Sequence, residues 1–285
     1  MILVTGATGT VGRLVVERLS NTLPVRILAR NPHRAAVLRG PRTDVVGGDF
    51  EDPSSLRTAL VGVRTALLVT ADPLTRAHDV NFLAVARAAG VHHVVKLSAE
   101  AVSDPGASDL ITEWQRENER QLRASHLSWT LLRPRAFMSN TLSWARSIRT
   151  EGVVRAVHGT ALNATVDPRD IADVAALALT EPEAHSQRVY TLTGPAALTA
   201  VEQTEILAGL LGRPLRFEQL PDDQAARVLL ERYPAPVAQA LLESAARGNL
   251  GTKKHAYPTV PELLGRPARS YRTWAFDHLE PFRMK

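Results

Sequence analysis

Two hydrophobic rhythms share this chain. Short, wholly apolar runs such as Ile2-Leu3-Val4 read as buried parallel strands. Segments such as Leu14, Val15 and Leu19 repeat their apolar positions at helical spacing. The first rhythm predicts strands at 2–4, 25–29, 43–46, 65–70, within 91–98 with Ser98 at the carboxyl end, at 129–133 and at 188–193. The second predicts helices between them. One runs to 60 behind the Asp52 cap and Pro53, and one covers 75–89 before Gly90. A charged helix covers 109–124, and an apolar one opens at Asp167-Pro-Arg-Asp170 and reaches Leu179. Thr199 and Glu202 form a capping box for a helix ending at Gly212.

Alternating strands and helices predict an α/β fold, a doubly wound parallel sheet of Rossmann type. Residues 1–135, with 160–195 completing the sheet, form the expected core. Residues 136–159 and 196–285 form a smaller lobe. Helices near 223–232 and 237–247, separated by Pro234-Ala-Pro236, and a last helix at 270–279 belong to that lobe. The pair near 222–248 serves either as a helical lid over a substrate pocket or as plain packing.

The first junction carries the chemistry. Gly6, Gly9 and Gly12 follow the first strand at three-residue spacing and open the first helix. Gly6 allows the turn, Gly9 lets a pyrophosphate approach the backbone, and Gly12 lets helix and sheet pack closely. The helix N-terminus offers N–H groups and partial positive charge to phosphate. The plainer alternative is a glycine turn without a ligand, but strand, turn and helix are all present in order. Thr8, Thr10 and Val11 complete the expected phosphate-binding segment.

The end of the second strand selects the cofactor. Ala29-Arg30-Asn31, with Arg34 one turn on, has no carboxylate for a ribose 2′-hydroxyl and offers guanidinium groups to a 2′-phosphate. The expectation is NADPH/NADP rather than NAD. Asp49 and Phe50, after the third strand, are candidates for the adenine. Val69 and Thr70 lie at the end of the fourth strand, where ligands of such sheets bind. Asn81, inside a helix, is assigned a cap or backbone bond. His92 and His93 precede the fifth strand; adjacent strand positions face opposite ways, so they are poor joint metal ligands.

Composition narrows the picture without changing it. The chain has 285 residues, a formal charge of +5 and no cysteine, which excludes disulfides and thiolate sites. Thirty of its 34 basic residues are arginine, scattered rather than clustered, so nucleic acid is not an expected partner. No apolar run reaches membrane-spanning length, and a strand at residue 2 leaves no room for a signal peptide, so a cytoplasmic location is expected. No metal site is expected. Monomer and dimer stay open.

Thr5-Gly-Ala-Thr-Gly-Thr-Val-Gly12 resembles the fingerprint of the short-chain dehydrogenase/reductases. Ala29-Arg-Asn-Pro32, Gly48-Asp-Phe50, Leu97-Ser98, Leu131-Leu-Arg-Pro134, Asp170-Ile-Ala172 and Leu192-Thr-Gly-Pro195 resemble the atypical, NmrA-like branch of that superfamily. The resemblance implies NAD(P) binding, Pro134 included, and a substrate site formed by the C-terminal lobe. Members include ketone and quinone reductases and non-catalytic redox sensors. The chain also resembles actinomycete ketoreductases of aromatic polyketides, of the angucyclinone type.

The departure is in the catalytic pair. The superfamily carries Tyr-x-x-x-Lys in the helix after the fifth strand, followed by an acid. With Glu119 as that acid, Ile111 and Gln115 stand in the two positions, and neither can replace a phenol or an ammonium. Tyr190, Tyr233, Tyr257 and Tyr271 all come later. Ser98 matches the strand-five serine and is the candidate donor to a substrate carbonyl. One reading is a reductase of a polycyclic aromatic, polyketide-like ketone that takes its proton from substrate or water. The alternatives are a quinone reductase and a redox sensor. Phe137, Met138 and Asn140, after Pro134, either enter the substrate pocket or belong to the core.

Overall fold

The computed structural model describes residues 1–283. Six strands pair in parallel: β1 (Ile2–Val4), β2 (Val25–Ala29), β3 (Thr43–Gly47), β4 (Thr65–Leu68), β5 (His93–Leu97) and β6 (Ser128–Pro134). With β8 (Arg188–Leu192) they form one sheet of order β3-β2-β1-β4-β5-β6-β8, while β7 (Val153–Ala156) pairs in parallel with β9 (Arg216–Gln219). The strand order reverses at β1, between β2 and β4, which is where a doubly wound sheet leaves its ligand crevice.

The helices are α1 (Thr10–Leu19), α2 (Pro32–Ala35), α3 (Pro53–Ala59), α4 (Ala77–Ala88), α5 (Leu110–Ala124), α6 (Ala145–Glu151) and α7 (Pro168–Thr180). They continue with α8 (Pro182–His185), α9 (Ala200–Leu211), α10 (Asp222–Leu230), α11 (Ala235–Gly248), α12 (Thr259–Leu264) and α13 (Tyr271–Asp277).

Alternation along the strands explains the layering. Leu3, Ala66, Leu68, Val94 and Leu131 share one sheet face and pack with Leu56 and Leu60 of α3, Phe82 of α4 and Leu122 of α5. Val4, Leu67, Val95 and Leu132 point the other way and are also buried. On that side α1 packs against α7. The Thr65 hydroxyl donates to the Leu179 carbonyl at 3.2 Å, tying β4 to α7. Asp52 caps α3 as the sequence predicts, accepting from Ser54 N–H at 2.9 Å. Asn81 donates to the Phe50 carbonyl at 2.8 Å, the backbone bond assigned to it.

The chain divides into two compact units. The first comprises 1–102, 113–134 and 168–191, and the second 103–112, 135–167 and 192 onward. The second has its own core, in which Met138, Ile148, Val154, Leu207, Trp274 and Phe282 are packed together. Its α10 and α11 pack as a pair.

Several boundaries differ from the sequence expectation. β4 ends at Leu68 rather than at residue 70, because Val69 N–H is taken by the Thr5 hydroxyl at 2.8 Å instead of a neighbouring strand. The last helix runs only over α13, with Ser270 outside it as the cap. β7, β9, α6 and α12 have no counterpart in the sequence reading. Val153–Ala156 and Arg216–Gln219 are four-residue strands, and the second has no buried residue, so neither carries a hydrophobic period.

Candidate functional site

The first unit holds a cleft of about 490 Å³ at the carboxyl ends of β1, β2, β3 and β4. Local geometry of the glycine segment builds its floor. Gly6 sits at φ +61°, in the left-handed region where a side chain is strained. A Cβ on Gly12 would lie 2.3 Å from the Gly6 carbonyl oxygen, so no other residue fits there without moving the backbone. Gly9 N–H closes the turn onto the Gly6 carbonyl at 2.9 Å, and Gly9 caps α1 with no side chain on the helix N-terminus. The N–H groups at the start of α1 are thus left for an anion.

Most of the predicted cofactor residues meet in this cleft. Gly6, Thr8, Gly9, Arg30, Arg34, Asp49, Phe50, Val69 and Thr70 line it. Thr10, Val11 and Gly12 do not line it; they form the first turn of α1, where Val11 is buried in the core. What they can offer is backbone. Pro134 is also away from the lining, buried as the last residue of β6. Arg30 and Arg34 are exposed, as suits groups that wait for an anion in water. Phe50 stands against His78 with ring centres 5.4 Å apart, giving a flat aromatic surface. Asp49 Oδ1 accepts from Glu51 N–H at 3.0 Å, and Asp49 N–H donates to the Ser55 hydroxyl at 3.0 Å, which fixes the turn.

Two ionisable lining residues, His78 and Asp72, were not among the predicted site residues. His78 opens α4 and faces the cleft, and Asp72 follows β4. Hydrogen bonds from Leu74 N–H and the Thr75 hydroxyl, with the charges of His78 and Arg30, hold the Asp72 carboxyl below its ordinary range. A ring beside Phe50 had no sequence signal, since it comes from a different element.

Below Thr70 lies a closed ring of polar groups that the sequence reading also missed. Lys96, fully buried in β5, places Nζ 2.8 Å from Asp79 Oδ2 and donates to the Thr70 hydroxyl at 2.7 Å. That hydroxyl donates to Asp79 Oδ1 at 2.7 Å. A lysine inside the apolar run Val94-Val-Lys-Leu97 was the signal, because a charge there requires a buried partner.

Ser98 departs from the role expected of it. Its hydroxyl donates to Glu119 Oε1 at 2.6 Å, and Glu119 also accepts from Arg133, Nε to Oε1 at 2.8 Å and Nη2 to Oε2 at 2.5 Å. A serine hydroxyl has one hydrogen, and the carboxylate holds it, so a substrate carbonyl is not offered a donor. Gln115, in the position of the superfamily lysine, is buried, and its Oε1 has no hydrogen-bonding partner among the described residues.

The second unit contains a separate cavity of about 310 Å³. Phe137 and Asn140 line it. Met138 does not: its side chain is packed in the core with Ile148, Leu207 and Trp274, because its N–H pairs with the Val166 carbonyl at 2.9 Å and aims it inward. Ala245 and Gly248 of α11 form part of the wall. Among the described residues, no group of His, Cys, Asp and Glu could hold a metal, and no helix is long and apolar enough to cross a membrane.

Comparison with known proteins places these features in a family. An NAD(P)H-binding family model matches residues 6–182. The (4-alkanoyl-5-oxo-2,5-dihydrofuran-3-yl)methyl phosphate reductase of Streptomyces griseus is 55% identical over 282 residues, 99% of each chain. The NAD(P)H azoreductase of Xenophilus azovorans is 34% identical over 287 residues, again 99% of each chain. Among solved structures, an NADPH-dependent quinone oxidoreductase of Escherichia coli, complexed with NADPH, superimposes with a TM-score of 0.86 at 27% identity, covering 98% of this chain and 100% of that one. The glycine cradle, the cleft at the strand ends and the extent of these matches lead to one conclusion: the chain belongs to the NAD(P)H-binding family, and its relatives at this similarity are reductases.

Proposed function

We propose that the chain is an NADPH-dependent reductase of conjugated acceptors that need no proton from the protein. One observation carries the reading. The positions that would supply a proton are Ile111 and Gln115, and the Ser98 hydrogen is held by Glu119. Hydride transfer to a simple ketone produces an alkoxide, which requires an acid. Transfer to an acceptor that delocalises its new charge does not.

The named relatives share that property. An azo bond, a quinone and a 4-alkanoyl-5-oxo-2,5-dihydrofuran ring are all electron-poor conjugated systems. In the furanone the ring double bond carries a ring carbonyl and an alkanoyl carbonyl on the same carbon. Hydride added to the other alkene carbon moves the π pair onto those two carbonyls as an enolate. Water protonates that enolate, and the alkene is reduced. At 55% identity the furanone phosphate class is the first candidate substrate for this chain.

The cleft fits the cofactor. The Gly6–Gly9 turn and the N–H groups of Thr10, Val11 and Gly12 would hold the pyrophosphate, Arg30 and Arg34 the 2′-phosphate, and Asp49 and Phe50 the adenine. Val69 and Thr70 would flank the remainder. Bound NADPH supplies the hydride.

The test is NADPH deuterated at the transferring position, offered with a 4-alkanoylfuranone phosphate, a naphthoquinone and a polycyclic aromatic ketone, with products read by mass spectrometry. Deuterium on the furanone ring carbon supports the proposal, as does quinone reduction. Deuterium only on a carbinol carbon of the aromatic ketone replaces it with the ketoreductase read from the sequence. Tight NADPH binding without transfer to any acceptor replaces it with the redox sensor.

A further inference from the structure

A buried ion pair adds little to stability as such, because well-packed apolar side chains commonly match it. Lys96 in β5 is fully buried and Asp79 in α4 is 1% exposed, so both ions have lost their water. What the pair holds is Thr70. The Thr70 hydroxyl donates to Asp79 Oδ1 and accepts from Lys96 Nζ, each at 2.7 Å. Two opposite charges thereby take its hydrogen and one of its lone pairs, and bonds of this charge-assisted kind resist rotation of the side chain. The Trp114 ring stands over the ammonium, its centre 5.6 Å from Nζ.

Thr70 is also where the main chain has just left the sheet. β4 ends at Leu68, and Val69 N–H donates to the Thr5 hydroxyl at 2.8 Å, which itself donates to the Leu67 carbonyl at 3.1 Å. Thr5, Val69 and Thr70 all line the cleft, while Lys96 and Asp79 do not. Thr70 is therefore fixed twice at the cleft wall, through its side chain by the ion pair and through its neighbour by Thr5.

The sheet order indicates which part of the cofactor Thr70 meets. Arg30 follows β2, and Asp49 and Phe50 follow β3, on one side of the crevice; β4 lies on the other. A dinucleotide laid across the switch point with its adenosine half over β2 and β3 carries its nicotinamide half toward β4. The ion pair has no net charge, so it does not attract phosphate as the arginines do. Its contribution is position.

We propose that Lys96 and Asp79 are positioning residues for the cofactor, acting through Thr70, which they hold in place against the nicotinamide half of NADPH. The inference rests on the placement of NADPH in the cleft given above and is independent of the acceptor.

The test is calorimetric titration of the full chain with NADPH and with 2′,5′-ADP, which is the adenosine half alone. Lys96→Met combined with Asp79→Leu removes both charges at once and keeps the thermal midpoint near that of the intact chain. In this double variant NADPH is expected to bind about tenfold more weakly, the size of a lost hydrogen-bonded contact, while 2′,5′-ADP stays within about twofold. The net charge is unchanged, so the loss is the same at low and high salt. Thr70→Val, which keeps the ion pair, gives the same split if the double variant does not fold. Thr70→Ser, which retains the hydroxyl, restores NADPH affinity. A pair with only a structural role gives a different result: NADPH affinity returns together with stability in the double variant. That result overturns the inference, as does an equal loss for both probes or a Thr70→Val variant that binds NADPH like the intact chain. An intact protein that binds 2′,5′-ADP no tighter than 5′-ADP removes the cofactor placement, and this inference with it.

Discussion

The ring beneath the cofactor cleft and the wall of the second unit's cavity bury polar groups in opposite ways. In the ring the charges are matched: Lys96 Nζ lies 2.8 Å from Asp79 Oδ2, and the Thr70 hydroxyl accepts from Lys96 and donates to Asp79 Oδ1, while Oδ2 itself accepts no hydrogen bond among the described residues. In the cavity wall, the neutral Asn163 Oδ1 is buried without a partner among the described residues. The difference follows charge. An unpaired buried ion costs far more than an unpaired amide, so ions must close within the chain while an amide atom can stay unpaired. The same division appears along α5, where Glu119 is paired with Arg133 while Gln115 Oε1 and Asn118 Nδ2 have no partner among the described residues.

The strongest way to break this comparison is Lys96→Met. It leaves Asp79, 1% exposed, without its counter-ion, and a loss of about 3–5 kcal/mol is expected in urea unfolding. Lys96→Met combined with Asp79→Leu should recover most of that, because a well-packed apolar pair commonly matches a buried ion pair. A single variant that loses less than about 1 kcal/mol would mean the pair is solvated and the contrast with the cavity is lost.

Arg30 and Arg34 sharpen the contrast from the other side, being charges left open where water reaches them. Replacing both with alanine is expected to weaken NADPH binding about 10- to 100-fold and to leave NADH binding nearly unchanged. Equal loss for both cofactors would place the arginines on a phosphate common to the two.

Legibility in the sequence divides along a related line. The cradle was readable because its residues are contiguous: a three-residue strand, three glycines and the turn of α1 fall within twelve positions. Arg30 follows β2 directly, and Arg34 lies in the short α2 just beyond it. What stayed hidden was built across elements. Lys96 comes from β5, Asp79 from α4 and Thr70 from beyond β4, and only the sheet order brings them together. Ser98 was found by its place on a strand, but its partner Glu119 lies 21 residues on, and that partner changes what the hydroxyl can do.

His93 is a neutral group closed like the ring. Its imidazole lies between the Ser128 and Thr130 hydroxyls at 2.7 and 2.9 Å. Burial, aided by the charges of His92 and His185, pushes it down to about 4. The unfolded chain therefore takes up this proton first as the pH falls, at its ordinary value of 6.5. Stability contributed by neutral His93 is complete above that value and is lost as the pH drops toward 4, by about 2 kcal/mol after allowance for screening. His93→Gln should flatten this part of the stability profile. A profile unchanged by the substitution would assign the acid sensitivity to other groups.

The smallest effect is expected at Ser98, and it tests the proton argument most directly. In Ser98→Ala, Glu119 keeps both of its bonds from Arg133, so the carboxylate is not stranded. The loss of one hydroxyl donor should cost about 1 kcal/mol of stability. Turnover of a conjugated acceptor should stay within about threefold, because an enolate or hydroquinone anion takes its proton from water. A serine that donated to a substrate oxyanion would instead lower kcat about 100-fold, the scale of a lost oxyanion donor. Such a fall, with NADPH affinity intact, would show that Glu119 releases the hydroxyl when substrate arrives. It would return the chemistry to a carbonyl that needs a donor from the protein.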